Sequence, residues 1–478
     1  MYKALFWLWV SLGAVACAIP QRPAPDIEVD IPDNWESRGY GVEGTLAGWW
    51  LEFDNAGLQQ AIEIALQENY DLKAAVYRLD AAAAQARIVG ADLYPHVNAQ
   101  FTGSRQKRNF IGFPIPGSGG EVPSNTSNLY GVSFNINWEV DLWGRIRAAR
   151  SASWADFQAV EADLAGFQLS LVGQTIKAWF AAVEADMQTK LSEATVSNYQ
   201  ASNNQVRRRY RLGLTPPLEV RLSESNVANA EAVLIFRRDQ LQRSKKQLDV
   251  LLGRYPAGRL TLDEDLPGLQ SDIPAGLPAD IVRRRPDLVA AEKRLAAAYA
   301  RVLESKRALY PRISLTASGG TSSDELKNLV NGDYSVWNLV GNLLQPLFQG
   351  GRLRAGVALS EAREQENLAL YANQVLYAYA EVEAALEAEQ LLKERELALQ
   401  EAAEQAVAAR ELADQRYVSG LTDLIPVLES QRRAFIAQSE LLSVKRQRLD
   451  NRVDLYLALG GGFGEESAPV DLMDQGGR

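Results

Sequence analysis

The residues able to do chemistry in this chain are few. It holds one histidine, His96, and one cysteine, Cys17, in 478 residues. A single imidazole excludes His-pair metal sites and leaves only one base for a nucleophilic triad. A single thiol excludes an intramolecular disulfide and every multi-cysteine metal site. His96 follows Tyr94-Pro95 where the pattern changes from helical to alternating, a position that suits an interfacial polar residue better than a catalyst. Methionine stands only at Met1, Met187 and Met473, so there is no thioether ladder for soft metal ions. Gly117-Ser118-Gly119-Gly120 lacks a following Lys-Ser/Thr and opens no helix, which argues against a phosphate loop. Without a nucleotide motif, a metal cluster or paired carboxylates, we expect no enzyme and no cofactor.

Cys17 stands out by its position. Lys3 precedes an apolar run from Ala4 to Ala16 that ends in small residues, the pattern of a secretory signal over residues 1–16. The run is about half of what a membrane-spanning helix needs. Ala14-Val15-Ala16-Cys17 resembles a bacterial lipobox, with Ala14 where such signals usually carry Leu. That resemblance implies acylation of Cys17, and Ala18 in place of Asp implies sorting to the outer membrane. Each acyl methylene buried in lipid adds about 0.8 kcal/mol, so several chains anchor firmly. An ordinary signal peptide with an incidental buried cysteine is the alternative. Downstream, no apolar run approaches the length of a spanning helix.

Composition narrows the partners. Lys and Arg total 50 against 60 Asp and Glu, a net charge of -10 that suits a phosphate backbone poorly, so no nucleic acid is expected. At 47% hydrophobic and 23% charged residues the chain is in the globular range.

The elements that position any site are written twice. Asn69-Tyr70-Asp71-Leu72 aligns with Arg285-Pro286-Asp287-Leu288, and Leu93-Tyr94-Pro95 with Leu309-Tyr310-Pro311, at an offset of 216. Further on, Gly144-Arg145 matches Gly351-Arg352, Arg209-Tyr210 matches Arg416-Tyr417, and Gly213-Leu214-Thr215 matches Gly420-Leu421-Thr422, at an offset of 207. Self-similarity of this kind marks a tandem structural unit. Residues 69–253 form a first repeat and 286–460 a second, joined by a linker at 254–285 and followed by a tail at 461–478. Residues 17–68 are an N-terminal segment leading into the first repeat, with Trp35, Trp49 and Trp50 read as packing residues.

Within each repeat a hairpin precedes two helical stretches. Val97, Ala99, Phe101 and Gly103 alternate with polar neighbours, as do Tyr130, Val132, Phe134, Ile136 and Trp138, giving a hairpin over about 96–138. Its connection, Arg105 to Asn128, reads as an exposed loop rich in Pro and Gly. Ile313, Leu315 and Ala317 begin a second hairpin over about 312–346, less regular around Val340. Strands of this length and pattern fit an outer-membrane barrel, yet four cannot close one, so several copies must combine. A soluble pair of hairpins with one wet face is the alternative. Long helical stretches cover about 144–252 and 351–459, each interrupted at Gly-Leu-Thr, where glycine can close a helix. Phe157, Val160, Leu164, Phe167, Leu171 and Gln174 in one, and Leu368, Ala372, Val375, Tyr379, Val382 and Leu386 in the other, are spaced as coiled-coil seams.

Together, the repeat, the Leu-Tyr-Pro before each hairpin and the Arg-Tyr-x-x-Gly-Leu-Thr tips resemble the TolC-like outer-membrane factor family, in its acylated efflux branch. The resemblance implies a mainly α fold with a transmembrane β-barrel portion, in which a homotrimer forms a 12-stranded barrel and a helical tunnel. It implies an outer-membrane duct, docked at its tip to a periplasmic adaptor and an inner-membrane efflux pump and set in outer-membrane lipid. Residues around 17–68, the linker and the tail would form a periplasmic belt. Adaptor docking would fall on the turns at Gly213, Leu214 and Thr215 and at Gly420, Leu421 and Thr422. The gate would use Arg416, Tyr417, Asp423 and Glu429, with Pro426 standing where some relatives carry an acid, and a ring of acids there would prefer cations. A lipid-anchored periplasmic coiled-coil scaffold without a pore is the competing reading.

Overall fold

Each helix of the first repeat has a twin of equal length in the second. In the computed structural model, which describes residues 35–36, 48–111, 122–263, 265–269 and 278–462, α1 (Ala56–Glu68) leads into α2 (Tyr70–Ala91). After strands β1 (His96–Asn109) and β2 (Ser124–Val140) come α3 (Arg145–Arg211) and α4 (Pro217–Leu251). A short α5 (Pro278–Arg284) precedes α6 (Pro286–Arg307), β3 (Arg312–Ser323), β4 (Ser335–Leu344), α7 (Arg352–Val418) and α8 (Leu424–Ala458). Helices α3 and α7 both have 67 residues, α4 and α8 both 35, and α2 and α6 both 22. Cys17, the signal, most of the N-terminal segment and the tail beyond Gly462 lie outside the described residues.

The chain divides into two compact units. One contains Asp80–Val160 and Ala291–Leu370, and with them the whole sheet. Its strands run antiparallel in the order β1-β2-β3-β4, with Phe101 opposite Val132, Phe134 opposite Gly319, and Ala317 opposite Leu339. The β1–β2 ladder extends to Asn109 and Ser124, so both strands run further into the connection than their apolar alternation indicates. The extra pairs are polar, such as Lys107 with Thr126, and main-chain hydrogen bonds hold them whatever the side chains. At the foot of the sheet Asp141 accepts from the Ile146 and Arg147 amides at 3.1 and 2.9 Å, which starts α3. Trp138 and Trp143 donate their indole N–H groups to the carbonyls of Leu93 and Pro311, at 3.0 and 2.8 Å. His96 is exposed on β1, 3.8 Å from Asp92.

The other unit contains Glu161–Ala290, Glu28–Leu79 and the chain from Tyr371 onward. Its core is fully buried aliphatic and aromatic side chains, among them Leu58, Ile62, Ile176, Phe180, Leu248 and Leu386. Trp49 stacks on Tyr456 at 5.0 Å, Phe53 meets Phe180 edge-on at 5.1 Å, and Trp35 lies 6.1 Å from Tyr379. The tryptophans of the N-terminal segment therefore pack against the helices.

The buried stripe of α3 differs from the expected one. Gln174 is exposed and Phe157, Val160, Leu164 and Phe167 are half-buried; the expected Leu171 is buried, and with it Leu169, Val172, Ile176, Phe180 and Val183, which lie outside the expected set. The small residues decide this phase. A Cβ on Gly173 would fall 2.7 Å from Leu457 Cδ1, so α8 approaches α3 on its glycine side. In α7 the expected Val375, Val382 and Leu386 are buried together with Tyr371, Ala378 and Ala385, while the expected Leu368, Ala372 and Tyr379 are half-buried. No helix among the described residues is long and apolar enough to cross a membrane.

Candidate functional site

Two helix tips and the sheet carry the features with functional content. Each long helix closes through the same backbone device. Gly213 and Gly420 take φ of 72° and 71°, a left-handed conformation that glycine adopts without strain. Leu214 N–H then reaches back to the Arg209 carbonyl at 2.9 Å, and Leu421 N–H to the Arg416 carbonyl at 2.8 Å. This leaves Leu214 and Leu421 exposed at the turns.

The four expected gate residues have different environments. Tyr417 is buried, 3% exposed, in a small apolar cluster with Val206, Leu424 and Val427. Its hydroxyl donates to Glu219 Oε2 at 3.4 Å, while Arg209 covers its ring at 4.9 Å and donates to its carbonyl at 3.0 Å. Burial, and then the Glu219 charge, push the Tyr417 hydroxyl above the ordinary phenol range. Glu219 also accepts from the Thr215 hydroxyl. Tyr417 thus ties the end of α7 to the start of α4.

Glu429 lies a turn and a half into α8, clamped by Arg432 at 2.8 Å and Arg433 at 2.6 Å. Hydrogen bonds from Arg433 and Arg432 hold its carboxyl below the usual carboxylate range. Asp423 is the exposed residue that begins α8, and its side chain makes no capping hydrogen bond. Arg416 is exposed on the last turn of α7. The geometry therefore brings Tyr417 together with Arg209, Glu219 and Thr215, and leaves Asp423 and Arg416 facing solvent.

Arg209 and Glu219 are not among the gate residues that the sequence singles out. The repeat held a signal for one of them, because Arg209 is the counterpart of Arg416. Glu219 had none, since Pro426 stands at the matching place. Deeper in the same unit, Gln431 donates to Ser202 Oγ at 2.8 Å and to Asp414 Oδ1 at 3.1 Å, bridging α3, α7 and α8. Burial lifts the Asp414 carboxyl.

The sheet presents two chemically distinct faces. By register, Val97, Phe101, Val132, Phe134, Ile136, Ala317 and Leu339 share one face. Asn98, Gln100, Asn135, Asn137, Thr316 and Asn342 share the other, a surface mainly of amides and hydroxyls that also carries Arg108, Glu139 and Arg312 and, on β4, Val336 and Val340. Val97, Phe101, Phe134 and Leu339 are all well exposed in the single chain. Strands β1 and β4 each have one unpaired edge. No group of three or more His, Cys, Asp or Glu side chains among the described residues is placed to hold a metal ion.

Comparison with known proteins agrees with this architecture. The family model described as outer membrane efflux protein matches residues 61–254 and 277–461. The pyoverdine export outer membrane protein OpmQ of Pseudomonas putida is 32% identical over 474 residues, covering 97% of this chain and 98% of its own. The solved structure of the outer-membrane channel OprN superposes with a TM-score of 0.84 at 28% identity, covering 93% of this chain and 99% of that one. The CmeC outer membrane channel of Campylobacter jejuni gives 0.85 at 26% identity, covering 93% and 94%.

Proposed function

Given that this chain belongs to the outer membrane efflux protein family, we propose that it is the outer-membrane channel of a tripartite efflux system. It is a passive duct, and the energy for export comes from an inner-membrane pump reached through a periplasmic adaptor. The observation that carries this is the four-stranded sheet with one apolar face, one polar face and two open edges. In lipid, unpaired strand edges cost several kcal/mol per backbone group, so β1 of one copy pairs with β4 of the next until a barrel closes. Three copies give a 12-stranded barrel, continued by a helical tunnel. The polar face then lines the pore with amides and hydroxyls, and its fixed charges stand at the ends of the strands, Glu139 and Arg312 at one and Arg108 at the other.

Control lies at the helix tips. Tyr417, held by Arg209 and Glu219, fixes the second tip against the first in the resting state. The exposed Asp423 carboxylates of three copies approach the axis, while Glu429 is neutralised by its own arginines. Adaptor binding to the Gly-Leu-Thr turns shifts the population toward splayed tips. The acylated Cys17 anchors the chain, and Cys17→Ser removes labelling by palmitate.

Purified protein in planar bilayers tests the proposal. A duct gives discrete conductance steps and a heat-labile trimer on gels. A lipid-anchored scaffold gives neither.

A further inference from the structure

We propose that Arg105 and Lys107 form a binding site for the phosphate groups of outer-leaflet glycolipid. The inference rests on the reading that the hairpins sit in the outer membrane, and it adds a ligand on the lipid-facing wall.

The β1–β2 register runs without a bulge from His96–Asn137 to Asn109–Ser124, so side-chain parity holds along the whole hairpin. Val97, Phe101, Arg105 and Lys107 therefore lie on one face. On β2 the apolar set of that face runs from Tyr130 to Val140. Ten residues at about 3.4 Å each, tilted by roughly 40°, stand about 26 Å tall, which matches the apolar band of an outer-membrane barrel. The Tyr130 ring closes the band at its distal end, lying over Gly103, where an added Cβ would fall 3.5 Å from Tyr130 Cδ1. Tyrosine favours the membrane–water boundary.

Arg105 comes one pleat beyond Gly103, and Lys107 one further, about 7 Å apart on the strand. Both are exposed, and neither makes an ion pair among the described residues. Strand β1 has no acid, and the single acid of β2 is Glu139, at the opposite end. The helices connect to the other end of the hairpin, so this end faces away from the periplasm. Two cations set just above an aromatic boundary stand at the depth of charged headgroups. The phosphorylated glycolipid of the outer leaflet supplies anions there. Arg108 is on the opposite parity, paired with Gln106 at 3.3 Å, and provides the control.

The test uses the intact detergent-purified assembly and two probes, bis-phosphorylated lipid A and its fully dephosphorylated form, with binding read by native mass spectrometry. Wild type retains the phosphorylated probe and not the other. Arg105→Gln/Lys107→Gln weakens retention by roughly ten- to thirtyfold, while Arg108→Gln leaves it unchanged. Equal retention of both probes by wild type overturns the site, as does full retention by the double variant. A double variant whose trimer dissociates at lower temperature in lipid-free detergent also overturns it, since Arg105 and Lys107 would then be pairing with acids such as Asp333 at the next copy's β4 edge. Conductance in phosphatidylcholine bilayers separates this from the underlying reading: the double variant still conducts if the site alone is wrong, and wild type fails to conduct if the duct is wrong.

Discussion

Arg209 lies over the ring of Tyr417, 4.9 Å from its centroid, and donates a hydrogen bond to the Tyr417 carbonyl at 3.0 Å. A residue at the end of the first long helix thus holds the end of the second. Tyr417→Ala removes a buried ring from the cluster with Val206, Leu424 and Val427 and destabilises the tip by about 3 kcal/mol or more. Tyr417→Phe loses only the hydroxyl contact to Glu219, long at 3.4 Å, and costs under about 1 kcal/mol. Resting conductance in planar bilayers should rise markedly for Tyr417→Ala and little for Tyr417→Phe. Equal leaks in both would assign the closure to the hydroxyl alone.

Asp423 and Glu429 should differ in the same assay. Asp423 is exposed and uncapped, whereas Glu429 is paired with Arg432 and Arg433. Asp423→Ala should raise resting leak or weaken block by multivalent cations. Glu429→Gln frees two arginines and should weaken cation block less. Unchanged currents in Asp423→Ala would remove this carboxylate from the gate.

The repeat made much of the fold legible in the sequence, and it also explains what stayed hidden. Equal offsets require equal helices, and the paired 67- and 35-residue helices follow. The same alignment places Tyr210 with Tyr417, yet Tyr210 is 45% exposed and Tyr417 buried. Leu424 roofs the Tyr417 cluster, and its counterpart in the first repeat is Pro217, which has no long apolar side chain to offer. Two differences between the return helices, Leu424 for Pro217 and Glu219 for Pro426, therefore favour holding Tyr417 over Tyr210. The α3 stripe was hidden for a related reason. Apolar spacing counts large side chains, whereas the close approach of α8 is set by Gly173, which has none.

Asn69 and Arg285 are aligned by the repeat and fulfil one role with different chemistry. Asn69 donates its amide to the Leu251 carbonyl at 3.0 Å and caps α2 through Leu72 N–H at 3.0 Å. Arg285 donates to the Ala458 carbonyl at 3.2 Å while pairing with Asp287 and Glu381 at 2.8 and 2.7 Å. Asn69→Ala should cost about 1–2 kcal/mol. Arg285→Ala should cost more, about 2–3 kcal/mol, because two carboxylates lose their cation, although both remain partly in water. Thermal unfolding of the two variants should preserve that order, and an equal loss would limit Arg285 to its carbonyl contact.

The polar cluster between α3 and α8 should make stability depend on pH in an unusual sense. Glu184, Asp450 and Asp454 share two cations: Arg446, which meets Glu184 at 2.6 Å and also pairs with Asp450, and Lys177, which pairs with Asp454. Ser443 donates to Glu184 at 2.9 Å, Gln188 divides its donation between the Ser439 carbonyl at 2.9 Å and Glu184 at 3.4 Å, and Asp450 Oδ1 is buried without a partner. Burial, only partly offset by Arg446 and Lys177, lifts the Asp450 carboxyl to about 6. An acid with a raised folded pKa binds its proton more tightly folded than unfolded. Its stabilising contribution is therefore full below the unfolded value near 4 and is lost as pH rises through about 6. Asp450→Asn removes this titration and should make the protein more stable than wild type at pH 7.5, by on the order of 2 kcal/mol, while the two converge near pH 4. Glu429 and Asp287, whose carboxyls are held low, act in the opposite direction in both proteins and cancel in the difference. Denaturant unfolding of both proteins between pH 4 and 8 measures that difference, and a gap that stays constant with pH would mean that Asp450 is ionised throughout, with Arg446 outweighing its burial.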